Sequence, residues 1–189
     1  MISVPADGLF GLMQSDIERV LFDGPAIHKR LDEIAAQITA DYSDRELTVI
    51  AILTGSLMFM SDLLRRIPLP LKLDCLSVVS YHGKTQPGGD VIFKQLALPN
   101  VAGQDVLILD DILDTGQTLA GLLKVLEQTR PRTLRSAVLL WKADRQRVSL
   151  TPDFHCFRIP DVFVVGYGLD YKDDYRHLPY VGALDPHDL

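Results

Sequence analysis

Three aspartates lie close together in the middle of the chain, where an apolar run ends and a segment rich in hydroxyl groups begins. Asp110 and Asp111 follow the run 106–109 (Val-Leu-Ile-Leu), and Asp114 opens the segment 114–118 (Asp-Thr-Gly-Gln-Thr). Threonine hydroxyls and unhindered backbone N–H groups at the start of a helix bind anions, because the first donors of a helix lack partners. Aspartates would repel a bare phosphate, so the ligand must also carry hydroxyl groups or a cation. A ribose 5-phosphate with Mg²⁺ carries both.

The same residues also allow a purely structural interpretation. A buried parallel strand can end in a solvated acidic loop, and Asp114 would then be the N-cap of the following helix. The complete spacing favours the phosphate site, because two aspartates, two apolar residues and Asp-Thr-Gly-x-Thr follow directly on a four-residue apolar strand. A capping role for Asp114 is compatible with either interpretation.

This arrangement resembles the signature with which phosphoribosyltransferases bind phosphoribosyl pyrophosphate. A second resemblance lies later in the chain, where residues 160–171 read Pro-Asp-Val-Phe-Val-Val-Gly-Tyr-Gly-Leu-Asp-Tyr and residues 175–182 read Tyr-Arg-His-Leu-Pro-Tyr-Val-Gly. These two segments are similar to the purine-binding end of the hypoxanthine-guanine branch of that family. The resemblance covers most of the chain, from Thr48 to Leu184.

The resemblance implies roles for the aspartates and the segment that follows them. Asp110 and Asp111 would contact the ribose hydroxyls or the Mg²⁺ bound to them, and Asp170 would be a further Mg²⁺ ligand. Asp114 would lie near N7 of the purine, where a carboxylate can accept or share the proton of the base as catalytic general base. The 5′-phosphate would be held by the loop of Asp114, Thr115, Gly116, Gln117 and Thr118.

Pyrophosphate requires a second anion site, and the candidate is the turn of Thr54, Gly55 and Ser56. This turn presents backbone donors at a helix N-terminus, although a plain connection between strand and helix explains the local sequence equally well. The resemblance implies a cis peptide bond between Leu53 and Thr54. Many relatives have lysine in place of Thr54, so we expect backbone N–H groups and Arg176 to carry pyrophosphate binding.

The resemblance also implies a purine site built from residues far apart in the sequence. Phe163 would stack on the base, Val164 would contact it through backbone groups, and Lys142 would donate to the 6-oxo group. A charged donor at this place rejects adenine, because adenine would leave the buried donor without a partner. From the strand pattern alone, Phe163 and Val164 would be interpreted as core residues.

Strands and helices that alternate along the chain must position these residues. The predicted strands cover residues 48–53, 71–81, 91–96, 105–109, 134–141 and 163–165, and the predicted helices run from the start signal Asp23-Gly24-Pro25 to Tyr42, through 57–64 and over 115–128. This alternation predicts an α/β fold with a mostly parallel sheet flanked by helices and ligands at the carboxyl ends of the strands. The resemblance implies the type I phosphoribosyltransferase fold, with a small hood lobe and a flexible lid hairpin.

The length of 189 residues allows one sizeable core, so we expect a single domain, 1–189, with a hood formed by its N- and C-terminal segments. The loop 81–91 contains three glycines and a proline. Such a loop suits a lid that closes over pyrophosphate and excludes water, with Ser80 and Tyr81 as substrate contacts at its base. A disordered hairpin tip is the alternative, and residues 1–20 lie outside the matched motifs.

Composition narrows the function classes further. The net charge is −6 and the basic residues are scattered, so nucleic acid is not an expected partner. No charged segment precedes an apolar stretch near Met1, and the apolar runs are too short to span a bilayer, so neither secretion nor a membrane is expected. Cys75 and Cys156 lie in no metal-binding spacing, which indicates reduced thiols and a cytoplasmic protein.

The expected activity is Mg²⁺-dependent transfer of a phosphoribosyl group from phosphoribosyl pyrophosphate to hypoxanthine, and to guanine, which yields IMP or GMP and pyrophosphate in purine salvage. A nucleotide-sensing regulator on the same fold and a xanthine-preferring phosphoribosyltransferase are the alternatives. The negative net charge argues against the regulator. The joint presence of four residues matching the enzyme motifs also argues against it: Asp114, Lys142, Phe163 and Arg176. The resemblance implies a homodimer or homotetramer.

Overall fold

Strands and helices alternate through the centre of the structure, a computed structural model that describes residues 17–79, 92–93 and 99–184. In chain order the strands are β1 (Ile17–Phe22), β2 (Leu47–Leu53), β3 (Leu71–Val79), β4 (Ile92–Phe93), β5 (Asp105–Leu113), β6 (Thr133–Trp141), β7 (Phe154–Arg158), β8 (Val164–Val165) and β9 (Val181–Leu184). The α-helices are α1 (Gly24–Asp41), α2 (Leu57–Leu64) and α3 (Gln117–Glu127), and a 3₁₀ turn covers Ala143–Arg145.

Five parallel strands form the main sheet in the order β3-β2-β5-β6-β7, and β4 pairs with β3 in the antiparallel direction. β2 and β5 are neighbours, with Leu47 opposite Asp105 and Ala51 opposite Leu109. Because the strands are parallel, the carboxyl ends of β2, β5 and β6 lie at the same edge of the sheet. The predicted α/β fold is therefore confirmed.

Helices cover both faces of the main sheet because its central strands are apolar on both sides. Leu107 and Leu109 of β5 belong to a buried cluster with α1 and α2, whereas Val106 and Ile108 belong to a second cluster with α3. The α1 helix begins where the Asp-Gly-Pro signal predicts, since the Asp23 carboxylate accepts a hydrogen bond of 2.8 Å from the backbone N–H of Ala26.

A second sheet contains the three antiparallel strands β1-β9-β8. The predicted strand 163–165 is present as β8, which begins one residue later and belongs to this second sheet. Phe163 lies outside the strand, and Val164 and Val165 pair with Ala183 and Gly182 in this second sheet. The sequence analysis did not predict β1, β7 or β9, because each is short and acquires its regular conformation by pairing with a partner strand.

The connection between β5 and α3 differs from its prediction. β5 continues through both aspartates to Leu113, because β6 still pairs with it there, Leu113 opposite Trp141. The α3 helix has Gly116 as its N-cap, with a positive φ of 80° and no side-chain capping bond. The interpretation of Asp114 as the N-cap of this helix was therefore wrong, and α3 begins two residues later than expected.

Some predictions fall outside the described residues. Ser80, Tyr81 and the lid loop are among these, and of the predicted strand 91–96 only β4 is described. Within the described ranges, none of the helices has the length and apolar composition required to cross a membrane.

Candidate active site

The site residues predicted from the sequence gather at the carboxyl edge of the main sheet. Thr54 and Gly55 follow β2, Asp110 and Asp111 lie near the end of β5, and Lys142 follows β6. The segment 114–118 connects β5 to α3, and the loop 166–176 connects β8 to β9. In a parallel sheet this edge is where ligands bind, because the connecting loops and helix N-termini converge there.

The turn 54–56 lies against β5 and the loop 166–176 without any free space. A methyl group built on Gly55 would come within 1.5 Å of Oδ2 of Asp111, and one built on Gly168 would come within 2.0 Å of the carbonyl oxygen of Gly55. The peptide bond between Leu53 and Thr54 is cis, as the resemblance implies. Gly55 is therefore fixed between the acidic strand end and the loop that carries Asp170 and Arg176.

Asp110 and Asp111 form an acidic pair in which Asp110 is buried and Asp111 is partly buried. The backbone N–H of Asp111 donates to Oδ1 of Asp110 over 3.1 Å, and that of Ile112 donates to Oδ1 of Asp111 over 2.7 Å. Burial raises the pKa of both carboxyls, and the charge of Asp111 raises the pKa of Asp110 further. For Asp111 the hydrogen bond with Asp110 and the nearby charge of Arg176 oppose this rise. A cation beside the pair would favour its ionised form.

The loop 166–176 holds Asp170 and Arg176 together. One guanidinium nitrogen of Arg176 donates to the carbonyl of Gly168 over 2.8 Å, and the other lies 2.8 Å from Oδ1 of Asp170 and 3.5 Å from Asp173. The Arg176 side chain is about a quarter exposed. It places one positive charge between the turn 54–56, the acidic pair and Asp170.

Asp114 and Lys142 are joined through two residues that the sequence analysis did not assign to the site. Nε of Arg145 lies 3.1 Å from Oδ1 of Asp114, and Nη1 of Arg145 donates to Oδ1 of Asp161 over 2.7 Å. Nζ of Lys142 donates to the same oxygen over 3.3 Å. The pKa of Asp161 is lowered, chiefly by its hydrogen bond with Arg145. Lys142 is buried at 4% exposure, so its amine lies beneath the site rather than in solvent.

Backbone hydrogen bonds connect the residues that follow β6 to the segment 114–118. The N–H of Lys142 donates to the carbonyl of Leu113, and the N–H of Arg147 donates to that of Thr115, each over 3.0 Å. A methyl group on Gly116 would lie 2.7 Å from Cγ2 of Val148. The first N–H groups of α3 have no partner within the helix, so this segment presents backbone donors at the sheet edge.

Phe163 and Val164 differ in exposure. The Phe163 side chain is 40% exposed, whereas Val164 is 6% exposed. The edge of the Tyr171 ring packs on Phe163, with 5.5 Å between ring centroids. Phe163 therefore presents an aromatic surface that is supported from one side and open to a ligand, whereas Val164 offers mainly its backbone.

Sequence reasoning missed Arg145, Asp161, Tyr167 and Gly168. Arg145 and Asp161 stand among charged residues of polar loops and carry no local signal. Gly166 and Gly168 did carry a local signal, because two glycines separated by a single residue indicate positive φ angles. These angles are observed at 90° and 103°. Their spacing does not make a dinucleotide-binding motif, because Tyr171 stands where a third glycine is required.

Comparisons with known proteins agree with this geometry. The family model described as phosphoribosyl transferase domain matches residues 19–172. The hypoxanthine-guanine phosphoribosyltransferase of Staphylococcus epidermidis is 43% identical over 173 residues, which are 91% of this chain and 96% of the relative. That of Streptococcus pneumoniae is 39% identical over 173 residues, 92% of this chain and 96% of the relative.

Solved structures show the same similarity. The crystal structure of a hypoxanthine phosphoribosyltransferase from Staphylococcus aureus superposes with a TM-score of 0.89 at 40% identity and covers 94% of this chain and 96% of its own. The hypoxanthine phosphoribosyltransferase from Trypanosoma cruzi, in a ternary complex with substrates, superposes with a TM-score of 0.86 at 34% identity and covers 92% and 98%. The chain therefore belongs to the phosphoribosyltransferase family, and within it to the hypoxanthine-guanine branch.

Proposed function

We propose that this protein transfers the phosphoribosyl group of phosphoribosyl pyrophosphate to hypoxanthine and guanine, which yields IMP or GMP and pyrophosphate for purine salvage. The observation that carries the proposal is the meeting of three features at one sheet edge: the segment 114–118 at the start of α3, the acidic pair Asp110 and Asp111, and Lys142, whose amine donates to Asp161 two residues before the exposed ring of Phe163. Each feature matches one part of the substrates, namely phosphate, ribose and purine.

Sugar and phosphate binding follow from the loops that end β2 and β5. The 5′-phosphate binds the N–H groups and hydroxyls of Thr115, Gly116, Gln117 and Thr118, because helix N-termini favour anions. Pyrophosphate binds backbone N–H groups of the turn 54–56, and Arg176 supplies the positive charge that Thr54 lacks. The family resemblance adds Ser80 and Tyr81 as substrate contacts, and both lie outside the described residues.

A Mg²⁺ ion fits the carboxylates of this site. The two buried carboxyls of Asp110 and Asp111 disfavour being charged together, and Asp170 offers a third carboxylate, held by Arg176. Within the described part of the chain no cluster of three ligand-type side chains is close enough to hold a metal alone, which suits a Mg²⁺ that binds mainly through substrate oxygens. When bound, Mg²⁺ neutralises the leaving pyrophosphate and orients the ribose.

Purine binding and proton transfer follow from Asp114, Lys142, Phe163 and Val164. Phe163 stacks on the base, backbone groups of Val164 contact its edge, and Lys142 donates to the 6-oxo oxygen. As a purine nitrogen bonds to C1′ and pyrophosphate departs, the carboxylate of Asp114 accepts or shares the proton at N7. The Asp114 side chain is 35% exposed although its Oδ1 is buried beside Arg145, so Oδ2 is the oxygen that a ligand can reach.

The proposal includes the organisation of the protein. We propose one domain in which the antiparallel sheet β1-β9-β8 forms the hood over the purine side of the site. A homodimer or homotetramer and a cytoplasmic location are proposed from the family alone.

The first test is spectrophotometric turnover of hypoxanthine, guanine, xanthine and adenine with phosphoribosyl pyrophosphate and Mg²⁺, for the wild-type protein, Asp114→Asn and Asp144→Asn. We expect turnover of hypoxanthine and guanine, no turnover of adenine, and a loss of kcat by roughly 10²–10⁴ in Asp114→Asn, the range typical of a general base. Asp144 pairs with Arg158 on the surface and is 78% exposed, so Asp144→Asn is the matched control and keeps wild-type kcat.

The other outcomes separate the alternatives. Turnover of xanthine in preference to hypoxanthine would assign a different purine specificity to the same chemistry. Nucleotide binding without turnover of any base would contradict the enzyme and favour the regulator. Equal losses of kcat in Asp114→Asn and Asp144→Asn would show that Asp114 does not take part in the proton transfer.

A further inference from the structure

Tyr167 is a buried tyrosine in the loop 166–176 whose hydroxyl reaches a different part of the molecule. Its side chain is 5% exposed, and its hydroxyl donates a hydrogen bond to Oδ2 of Asp62 in α2. Burial and the bond to this carboxylate raise the pKa of Tyr167, so the phenol keeps its proton and remains a donor. The hydrogen bond therefore connects the loop that carries Asp170 and Arg176 to the helix α2.

Asp62 is held as a charged acceptor. Arg65 pairs with its Oδ1, and Nε2 of His28 in α1 lies 3.6 Å from its Oδ2. Partial burial acts to raise the pKa of Asp62, but hydrogen bonds from Tyr167 and Arg65 outweigh burial and lower it. A hydrogen bond from a buried phenol to a carboxylate is stronger than one between two neutral groups.

The α2 helix is the continuation of the turn 54–56. It starts at Leu57 directly after that turn, with Ser56 as its N-cap. The backbone of Tyr167 is fixed as well, because its N–H donates to the carbonyl of Leu178 over 2.9 Å and its φ is positive at 52°. The Tyr167 side chain thus joins the helix α2 to a loop whose backbone is itself hydrogen-bonded to the chain near Leu178.

The contacts between turn and loop allow little relative movement. A Cβ on Gly168 would overlap the carbonyl of Gly55, and a Cβ on Gly55 would overlap the side chain of Asp111. Any shift of α2 relative to the loop 166–176 therefore changes the spacing between the backbone donors of the turn 54–56 and the guanidinium of Arg176.

We propose that the Tyr167–Asp62 hydrogen bond positions the turn 54–56 against the loop 166–176 and thereby sets the affinity for the diphosphate end of phosphoribosyl pyrophosphate. This inference rests on the proposed function, since it assigns a determinant to the same pyrophosphate site. Tyr167 and Asp62 are positioning residues, because they act through the turn and the loop. Lys142 belongs to another loop, and Phe163 precedes β8 and meets the loop 166–176 only at the ring of Tyr171 among the contacts described, so we expect the larger effect on phosphoribosyl pyrophosphate.

The test compares Tyr167→Phe, Asp62→Ala and the double variant in steady-state kinetics with each substrate varied in turn. We expect each single variant to raise KM for phosphoribosyl pyrophosphate about tenfold, with KM for hypoxanthine unchanged within about twofold, the scatter allowed for a site that is not touched. The double variant should be no weaker than either single variant, because both remove the same bond. Asp62→Asn keeps an acceptor oxygen and should restore most of the affinity.

Tyr42→Phe is the matched control. Tyr42 is a fully buried tyrosine beside the amino ends of the strands, stacked under Arg135, and its variant should leave both KM values at the wild-type level. Additive effects in the double variant, a parallel rise of both KM values, or the same change in Tyr42→Phe would overturn the positioning role.

Calorimetric titration of phosphoribosyl pyrophosphate with Mg²⁺ into the same proteins keeps the inference separate from the proposed function. A wild-type protein that turns over no purine contradicts the proposed function, yet the titration still decides the inference. Weaker binding in Tyr167→Phe and Asp62→Ala supports the positioning role, and equal dissociation constants reject it.

Discussion

At the scale of single residues, one oxygen of Asp114, Oδ1, forms an ion pair with Arg145 but accepts no hydrogen bond from the described residues. Nε of Arg145 is 3.1 Å from Oδ1 of Asp114, yet the direction of the N–H does not form a hydrogen bond. The contact is therefore an ion pair without a hydrogen bond, and it leaves Oδ1 buried. The proton of a ligand would have to reach the other oxygen of the same carboxylate, Oδ2.

Gly168 gives a prediction about single-residue packing. Gly168→Ala adds a Cβ 2.0 Å from the carbonyl oxygen of Gly55 at a φ of +103°, so steric overlap and backbone strain should together lower the free energy of unfolding by about 2–5 kcal/mol. Urea unfolding measures this loss. Gly103→Ala is the control, because Gly103 has a φ of +68° and no atom within 4 Å of the added Cβ, and it should cost about 1–2 kcal/mol. Equal losses would show that the contact with Gly55 is unimportant.

The sequence allowed candidate site residues to be named, but not the contacts among them. Asp110, Asp111 and the segment 114–118 are recognisable because their order along the chain is itself the motif. Arg145 and Asp161 are not, because the bonds they form depend on how the 3₁₀ turn at Ala143–Arg145 and the segment before β8 come together. Contacts of that kind follow from tertiary structure and leave no periodic pattern.

At the scale of elements, β7 shows how a strand is stabilised by its neighbours. Within the described ranges it pairs with β6 alone, with Ala137 opposite Phe154. The edge of the His155 ring packs against Trp141 with 5.1 Å between centroids, and Arg30 of α1 donates to the carbonyls of His155 and Cys156 over 3.0 and 2.8 Å. β7 is thus held by β6 on one side and by α1 across the face of the sheet.

His155 predicts a pH dependence of stability. Burial, followed by the charges of Arg30 and Arg158, lowers the pKa of His155 below its ordinary value of 6.5. Between these two pKa values the unfolded chain binds a proton more readily than the folded chain, so the free energy of unfolding falls as the pH drops below about 6.5, by at most about 1.4 kcal/mol for each pKa unit. Urea unfolding at pH 7.5 and 5.5 measures the fall, which should be smaller in His155→Phe than in the wild-type protein. The same fall in both proteins would contradict the assignment.

Elements with local signals were predicted well, and those without them were missed. The α1 helix has a cap, a proline and apolar residues at helical spacing, all within its own sequence, and its start was predicted correctly. β1 has charged Glu18 and Arg19 in its interior and β9 as partner near the other end of the chain. No window of neighbouring residues contains that pairing, so β1 could not be predicted.

At the scale of the whole molecule, the candidate site draws on two sheets. The main sheet supplies Asp110, Asp111 and the segment 114–118, and the loop between β8 and β9 of the second sheet supplies Asp170 and Arg176. Phosphoribosyl pyrophosphate would contact both. Its binding should therefore stabilise both sheets together.

Ligand addition tests this joint stabilisation. Phosphoribosyl pyrophosphate with Mg²⁺ at about 100 times its dissociation constant should stabilise the folded protein by about 2.7 kcal/mol, which raises Tm by roughly 5–11 °C for a chain of this size. Mg²⁺ alone should raise Tm little, because the described residues hold no cluster of three ligand side chains. Differential scanning calorimetry measures both shifts. A full shift with Mg²⁺ alone would indicate a metal site independent of the substrate.

The pairing of β1 with β9 also determines the order in which the protein can assemble during its synthesis. β1 leaves the ribosome early, but its partner is Val181–Leu184, so β1 must remain unpaired while α1 and the parallel strands are being made. Folding generally proceeds from the N-terminal side as the chain emerges from the ribosome. For β1 this order is reversed, because β1 is made first but pairs last. The parallel sheet with its phosphate loop can form first, and the sheet that adjoins Phe163 closes last. A nascent chain that stops before β9 would accordingly have the elements for ribose phosphate but not a complete purine side.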